Sequence, residues 1–214
     1  MTDILLDKIK DRYELSVIDT GDFATLKANG MTFAIEAYYA KGLGHVSVMR
    51  AKGFFGLMKM DTLIVNPTEL DLPLYSYDRI LAMGNDTLIV ELYDTLLGDS
   101  ALDAMSSVKD NYSHLPERDP GEHWYDDIKL DVSISKKGKR AHTPFFDAMT
   151  AEHFDAYLAT GAATVEDKGA KIAKASTYVD GLLERGGPST DVFKKALGAQ
   201  RTERLFKNVL FGTV

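Results

Sequence analysis

The chain has no cysteine among its 214 residues. That removes disulfides, thiolate nucleophiles, iron–sulfur clusters and cysteine-built zinc sites together. Any redox chemistry must therefore rest on a cofactor, a substrate or a partner. Its five histidines include no i, i+4 pair with a glutamate of the kind a helical zinc site uses, so no metal site is expected. There is no G-x-S-x-G elbow, and the glycines of GFFGL and GLGH do not open a strand-to-helix phosphate motif. Serine hydrolysis and nucleotide binding are thereby disfavoured. Positive charge is short, with 25 basic against 32 acidic residues and a net charge of −7, which repels phosphate backbones. No apolar run reaches the roughly 18 residues of a membrane span. The start, MTDILLDKIK, lacks the basic head and unbroken apolar stretch of a signal peptide. Neither nucleic acid nor membrane is expected as a partner, and a cytoplasmic location is expected.

What is present suits one domain, 1–214, with 45% apolar and 27% charged residues. Residues 1–20 read as a short helix, with Leu5, Ile9 and Tyr13 recurring every four positions. From Phe23 to Leu97 the period becomes that of strands, punctuated by Asn29-Gly30, Gly42-Leu43-Gly44, Gly53 and Gly84-Asn85. Short turns between successive strands predict an antiparallel meander. Asp99 can cap a helix begun by Ser100-Ala101-Leu102, and KLDVSISKKGKR reads as one further strand ending in a basic turn. A helical final third is expected from Thr150, broken at Gly186-Gly187-Pro188 and restarted at Ser189 or Thr190. Sheet first and helices after is an α+β pattern, with helices packed on the sheet faces.

Strand alternation over DLPLYSYDRI places Tyr75, Tyr77 and Arg79 on one face and Leu74, Ser76, Asp78 and Ile80 on the other. Asp78 is then the one charge on an apolar face. A desolvated carboxyl has a raised pKa and can hold and donate a proton near neutrality. The same pattern also admits an Asp bonded to nearby backbone or an arginine. Asp61, in MKMDTLIV, poses the same choice. The cluster Lys136, Lys137, Lys139 and Arg140 reads either as a solvated hairpin tip or as a docking patch for an acidic protein.

The run RAKGFFGLMKMDTLIVNPTELDLPLYSYDRI and the following GNDTLIVELYDTL resemble the core of the ferredoxin-dependent bilin reductases, whose signature is Leu-Pro-x-aromatic-x-x-Asp. TDVFKKALGAQRTERLFKNVLF resembles that family's closing helices. The two matches cover most of the chain from about Phe33, leaving out Ser100 to Thr150; the red chlorophyll catabolite reductases belong to the same broad superfamily. The resemblance implies a three-layer α/β/α sandwich with a central antiparallel sheet, holding an open-chain tetrapyrrole between the sheet and the C-terminal helices. It also implies no intrinsic metal or flavin: ferredoxin delivers single electrons, and side chains supply protons to biliverdin or a related bilin.

On that resemblance Asp78 is the central proton donor. Asp61, or Thr62 one residue on, lies where relatives carry a His, Asn or Asp facing the bilin. Leu74, Ser76 and Ile80, on the face of Asp78, become substrate contacts with Thr62. Lys136, Lys137, Lys139 and Arg140 become the ferredoxin-docking surface. The chain departs from the pattern near its end, where many relatives have a second acid followed by a basic residue. Gly186-Gly187-Pro188 stands there, and Asp191 follows four residues too late. A bilin or haem-derived tetrapyrrole carrier without turnover is the alternative this departure leaves open.

Overall fold

The computed structural model describes residues 1–214, apart from the Pro188 side chain. Helix α1 (Thr2–Lys10) buries Leu5, Leu6 and Ile9, with Asp3 in its first turn and Lys8 and Lys10 in its last, as the helix dipole favours. It ends ten residues before the sequence reading placed its end. The segment LSVI is instead a strand, β1 (Leu15–Ile18), because its backbone pairs with the edge of a longer neighbour. The meander continues through β2 (Thr25–Ala28), β3 (Met31–Ala40), β4 (Gly44–Gly53), β5 (Met58–Pro67), β6 (Leu74–Ala82) and β7 (Asn85–Tyr93). After α2 (Asp103–Asn111) comes the last strand, β8 (Ile134–Lys139). The strands form one eight-stranded sheet in the order β1-β3-β4-β5-β6-β7-β8, every pairing antiparallel, with β2 beside the other half of β3.

The helices of the second half are α3 (Thr143–Ala159), α4 (Lys168–Arg185), α5 (Pro188–Leu197) and α6 (Ala199–Arg204), which runs into a π-helical turn, Leu205–Leu210. Two of them begin earlier than expected, α3 at Thr143 rather than Thr150 and α5 at Pro188 rather than Ser189 or Thr190. In both, proline occupies the first turn, where its fixed φ suits the helix and its missing N–H costs nothing. The helix expected from Ser100 begins only at Asp103.

Helices cover both sheet faces, giving three layers. On one face α1, α2 and α3 close a core with Val46, Val48, Leu63, Tyr75, Tyr77 and Val90. On the other, α4, α5 and the C-terminal turn pack against Met49, Ile64, Leu74 and Tyr93. Tyr75 packs its ring against Phe154 and Tyr157 of α3 at centroid distances of 5.0 and 4.8 Å, and Tyr157 donates to the Pro73 carbonyl at 3.0 Å. These contacts fix the pleat of β6. Because side chains alternate across a strand, anchoring Tyr75 and Tyr77 toward α3 turns Asp78 toward the C-terminal helices.

Those helices are tied to the sheet by buried polar groups. Lys171 of α4 donates to Asp71 at 2.9 Å and to the Leu72 and Thr95 carbonyls at 2.7 and 2.8 Å. At the chain end, Ser47 donates to the Leu210 carbonyl and Asn66 to that of Phe211, each at 2.7 Å, and His45 Nε2 donates to Val209 O at 2.8 Å. Carbonyls that a helix C-terminus leaves free thus find partners on β4 and β5.

Candidate functional site

Between the sheet and the C-terminal helices lies a cavity of about 290 Å³. Its floor follows from register. Thr62 of β5 is opposite Asp78 of β6, which is opposite Ile89 of β7, so the three side chains stand in one row on one face. Met60, Ser76, Ile80 and Glu91 extend the floor to either side, and Tyr178 of α4, Phe193 of α5 and Phe206 form much of the roof. Residues at the deep end, Tyr93, Phe206 and Phe211, are buried. Asn29 is exposed, and Met58, Met60 and Ile80 are partly so, which puts the mouth at the end of the sheet where the β2–β3 and β4–β5 hairpins turn.

Asp78 is the acid at the centre of that floor. Thr62 Oγ1 donates to its Oδ1 at 2.5 Å, the one side-chain hydrogen bond Asp78 receives among the described residues. Burial pushes its pKa up to about 6; the Thr62 hydrogen bond pulls the other way, and the Glu91 carboxylate adds to the rise. A carboxyl so placed holds its proton in weakly acidic solution and releases it within the pH range of biological chemistry. Its remaining exposure is to the cavity that it lines.

Glu91 sits one step along β7, opposite Ser76, and accepts from Tyr93 Oη at 2.6 Å. Tyr93 stacks on Tyr178 at 4.0 Å and meets Tyr125 edge-on at 5.6 Å. Burial raises the phenol pKa of each of the three, so they act as neutral hydrogen-bonding groups. The side wall, Arg118, His123 and Tyr125, comes from the irregular stretch between α2 and β8. That stretch is seated by Trp124, whose indole N–H donates to the Gly186 carbonyl at 3.0 Å. Its ring lies so close to Gly181 of α4 that a Cβ there would stand 2.2 Å from a ring carbon, so only glycine fits. The His123 ring lies parallel to that of Tyr125, 4.8 Å away, and its buried Nδ1 has no hydrogen-bond partner.

The structure thus brings Asp78, Thr62, Ser76 and Ile80 into one cavity. It does not bring Asp61 there. Asp61 is adjacent to Thr62 in the chain and therefore faces the other way, standing opposite Arg50 and Arg79 in register. Leu74 shares the face of Asp78 but is wholly buried in the apolar packing below the lining. In the basic cluster Lys136 is only 2% exposed; it ion-pairs with Glu117 and donates to the Leu115 carbonyl at 3.2 Å, so it is no docking residue. Lys137, Lys139 and Arg140 are exposed, on and just after an edge strand rather than at a hairpin tip. At the chain's departure from the family pattern, Gly187 lines the cavity with no side chain and Asp191 is not part of the lining; the Pro188 side chain lies outside the described residues.

Glu91, Tyr93, Arg118, His123, Tyr125 and Tyr178 were not found from the sequence. For Glu91 and Tyr93 a signal existed, since alternation along DTLIVELY puts them with Ile89 on one face. The others come from a loop and a helix whose approach to the sheet is a matter of tertiary packing.

No family model and no curated protein sequence matches the chain. Among solved structures it matches the crystal structure of phytochromobilin synthase from tomato in complex with biliverdin, with a TM-score of 0.74 and 14% identity, over 100% of this chain and 82% of that one. The chain therefore has the bilin reductase fold, in which an antiparallel sheet is sandwiched between helices.

Proposed function

We propose that the cavity binds an open-chain tetrapyrrole such as biliverdin and that the chain reduces it, with Asp78 delivering protons and a ferredoxin delivering electrons one at a time. The observation that carries this reading is Asp78 itself. It is a carboxylic acid lifted to about 6 by burial, with one hydroxyl donor, at the centre of an apolar floor in a fold shared with a biliverdin-bound enzyme. A protonated bilin accepts an electron more readily than a neutral one, so an acid that transfers its proton first lowers the barrier to the electron step. Two electrons and two protons saturate one double bond. Thr62 holds the carboxyl in place, Glu91 disfavours its ionised form, and Arg118 and His123 offer polar anchors for a ligand carboxylate. An extended bilin would fill the cavity and reach its mouth between Asn29 and Met58.

The experiment is anaerobic. Biliverdin is added to the protein and the visible spectrum recorded before and after reduced ferredoxin is supplied. A spectral change on binding, followed by loss of the bound bilin's absorbance with ferredoxin and its persistence in Asp78→Asn, supports reduction. Absence of any change on binding would remove the reading. The carrier alternative draws on Gly187, which leaves the cavity wall without the second acid many relatives have there; binding without reduction would favour it. For the donor, charge reversal of Lys137, Lys139 and Arg140 should slow ferredoxin-driven turnover at low salt.

A further inference from the structure

Three hairpins turn at the same end of the sheet, and they fill their left-handed positions with different residues. The β2–β3 tip uses Asn29-Gly30, both with positive φ (48° and 74°), the pair that such a turn prefers. The β4–β5 tip places Phe54 and Phe55 in the left-handed region instead (φ 51° and 56°), and the β6–β7 tip places Met83 there (φ 50°). Bulky residues are disfavoured in this conformation, and glycine or asparagine would be the easier choice. All three side chains nevertheless point into solvent. Phe55 and Met83 are almost wholly exposed, Phe54 and the adjacent Leu57 more than half so. Four large apolar groups thus stand out from one end of the molecule, at a cost that the fold itself does not need. Such a concentration marks a contact surface.

Charge identifies the surface that it meets. Immediately behind the tips, register aligns Lys27, Thr32, Lys52 and Lys59 in one row across β2, β3, β4 and β5, on the sheet face opposite the cavity. The three lysines are exposed, and none has a carboxylate partner among the described residues. Arg140, whose N–H bonds the Gly84 carbonyl, continues the basic border beside Met83. In a chain with a net charge of −7 this is a local reversal of sign. A second copy of the chain would bring lysine row against lysine row. A protein partner would need separate sockets for tips that stand two strands, or about 10 Å, apart.

We infer that this end docks on an anionic lipid bilayer, with Phe54, Phe55, Leu57 and Met83 entering the acyl boundary and Lys27, Lys52 and Lys59 lying at the headgroups. Apolar tips backed by lysines are the arrangement that interfacial binding selects. The expectation of no membrane partner rested on the lack of an apolar run of spanning length, which has no bearing on a surface contact. The cavity mouth opens at the same end, so a ligand of limited water solubility could pass between bilayer and cavity.

The test uses the full chain, sedimented with vesicles of phosphatidylcholine alone or with about a quarter phosphatidylglycerol. Wild type is expected to sediment with the anionic vesicles, less so at high salt, and to stay in solution with the neutral ones. In Phe54→Gly/Phe55→Gly the bound fraction should drop by about tenfold or more, the scale for withdrawing a buried aromatic side chain. Its melting temperature should hold or rise, because glycine relieves both backbone positions. Lys52→Glu/Lys59→Glu should lose anionic binding as well. A wild type that ignores anionic vesicles, equal binding to both vesicle types, or a glycine variant that binds undiminished would overturn the inference. Self-association, or capture of an acidic protein, without vesicle binding would do the same.

Discussion

Asp78 and Arg79 are neighbours in the chain that face opposite sides of one sheet, and the two sides treat charge in opposite ways. Toward α3, Arg79 grips Asp86 through two hydrogen bonds, one of them at 2.7 Å; Asp147 is 3.4 Å away and the Phe146 ring packs under the guanidinium. Thr143 also donates to Asp86, so that buried carboxylate is surrounded by donors. Toward the C-terminal helices, Asp78 has one hydroxyl donor and no cation among its ion-pair or hydrogen-bond partners, and it borders open space. One face is closed, and its buried charges are paired. The other leaves an acid unpaired beside a cavity, at the expense of stability, as sites that do chemistry commonly do.

Breaking the charge pairing on the closed face should have the largest effect. Asp86→Ala leaves Arg79 buried without its main partner, and a loss of roughly 3–5 kcal/mol is expected in urea unfolding, with ligand binding by the folded fraction unchanged. On the other face Asp78→Asn should stabilise. A carboxyl whose folded pKa is raised from 3.8 to about 6 incurs no penalty below about pH 4, and the penalty grows until it is complete above about pH 6. The variant should therefore unfold at higher denaturant near pH 8, by on the order of 2–3 kcal/mol, and match wild type near pH 4. Its turnover of bound bilin should fall by about 10²-fold. A destabilised Asp78→Asn would mean that the carboxylate was holding the strand instead.

Asp78 and His153, on opposite faces, titrate with opposite sign. His153 of α3 is buried, with Nε2 donating to the Val132 carbonyl at 3.0 Å, and burial lowers its pKa from 6.5 to about 4. It must charge on unfolding in acid, so its contribution to stability is present above about pH 6.5 and is lost as pH falls toward 4. Over that window Asp78 acts in the other direction, and the two slopes oppose each other in the wild type. His153→Gln should make stability fall more steeply with rising pH, and Asp78→Asn should make it rise; midpoints of urea unfolding across this range measure both. The smallest effect is expected from Thr62→Val. Losing the hydroxyl donor should raise the Asp78 pKa further, by about one unit or less, and move the pH dependence of reduction with it.

The pattern of DLPLYSYDRI sufficed to place Asp78 because a strand has a period of two and tyrosines of its size must face a core. The same rule, applied across the pair Asp61-Thr62, needed the register between β5 and β6, and that is a property of two strands rather than one. Hence Asp61 was expected in the cavity and is on the far face. Lys136 was misplaced for a related reason: its burial depends on Glu117 and the Leu115 carbonyl, which an irregular loop brings to it. Proline in the first turn lets α3 and α5 begin before Thr150 and before Ser189 or Thr190, the starts expected from the sequence. The loop residues Arg118, His123 and Tyr125 could not be read from periodicity, because the contact of Trp124 with Gly181 that seats them joins segments more than fifty residues apart.

The chemistry proposed for the cavity rests on Asp78 being a protonated acid at the edge of neutrality. The infrared carbonyl band of protonated carboxyl groups, taken as the difference between wild type and Asp78→Asn across a pH titration, measures this directly. A band attributable to Asp78 that disappears with a midpoint near 6 is the expected result. A midpoint near the ordinary aspartate value of about 4 would contradict it and leave the cavity without its acid.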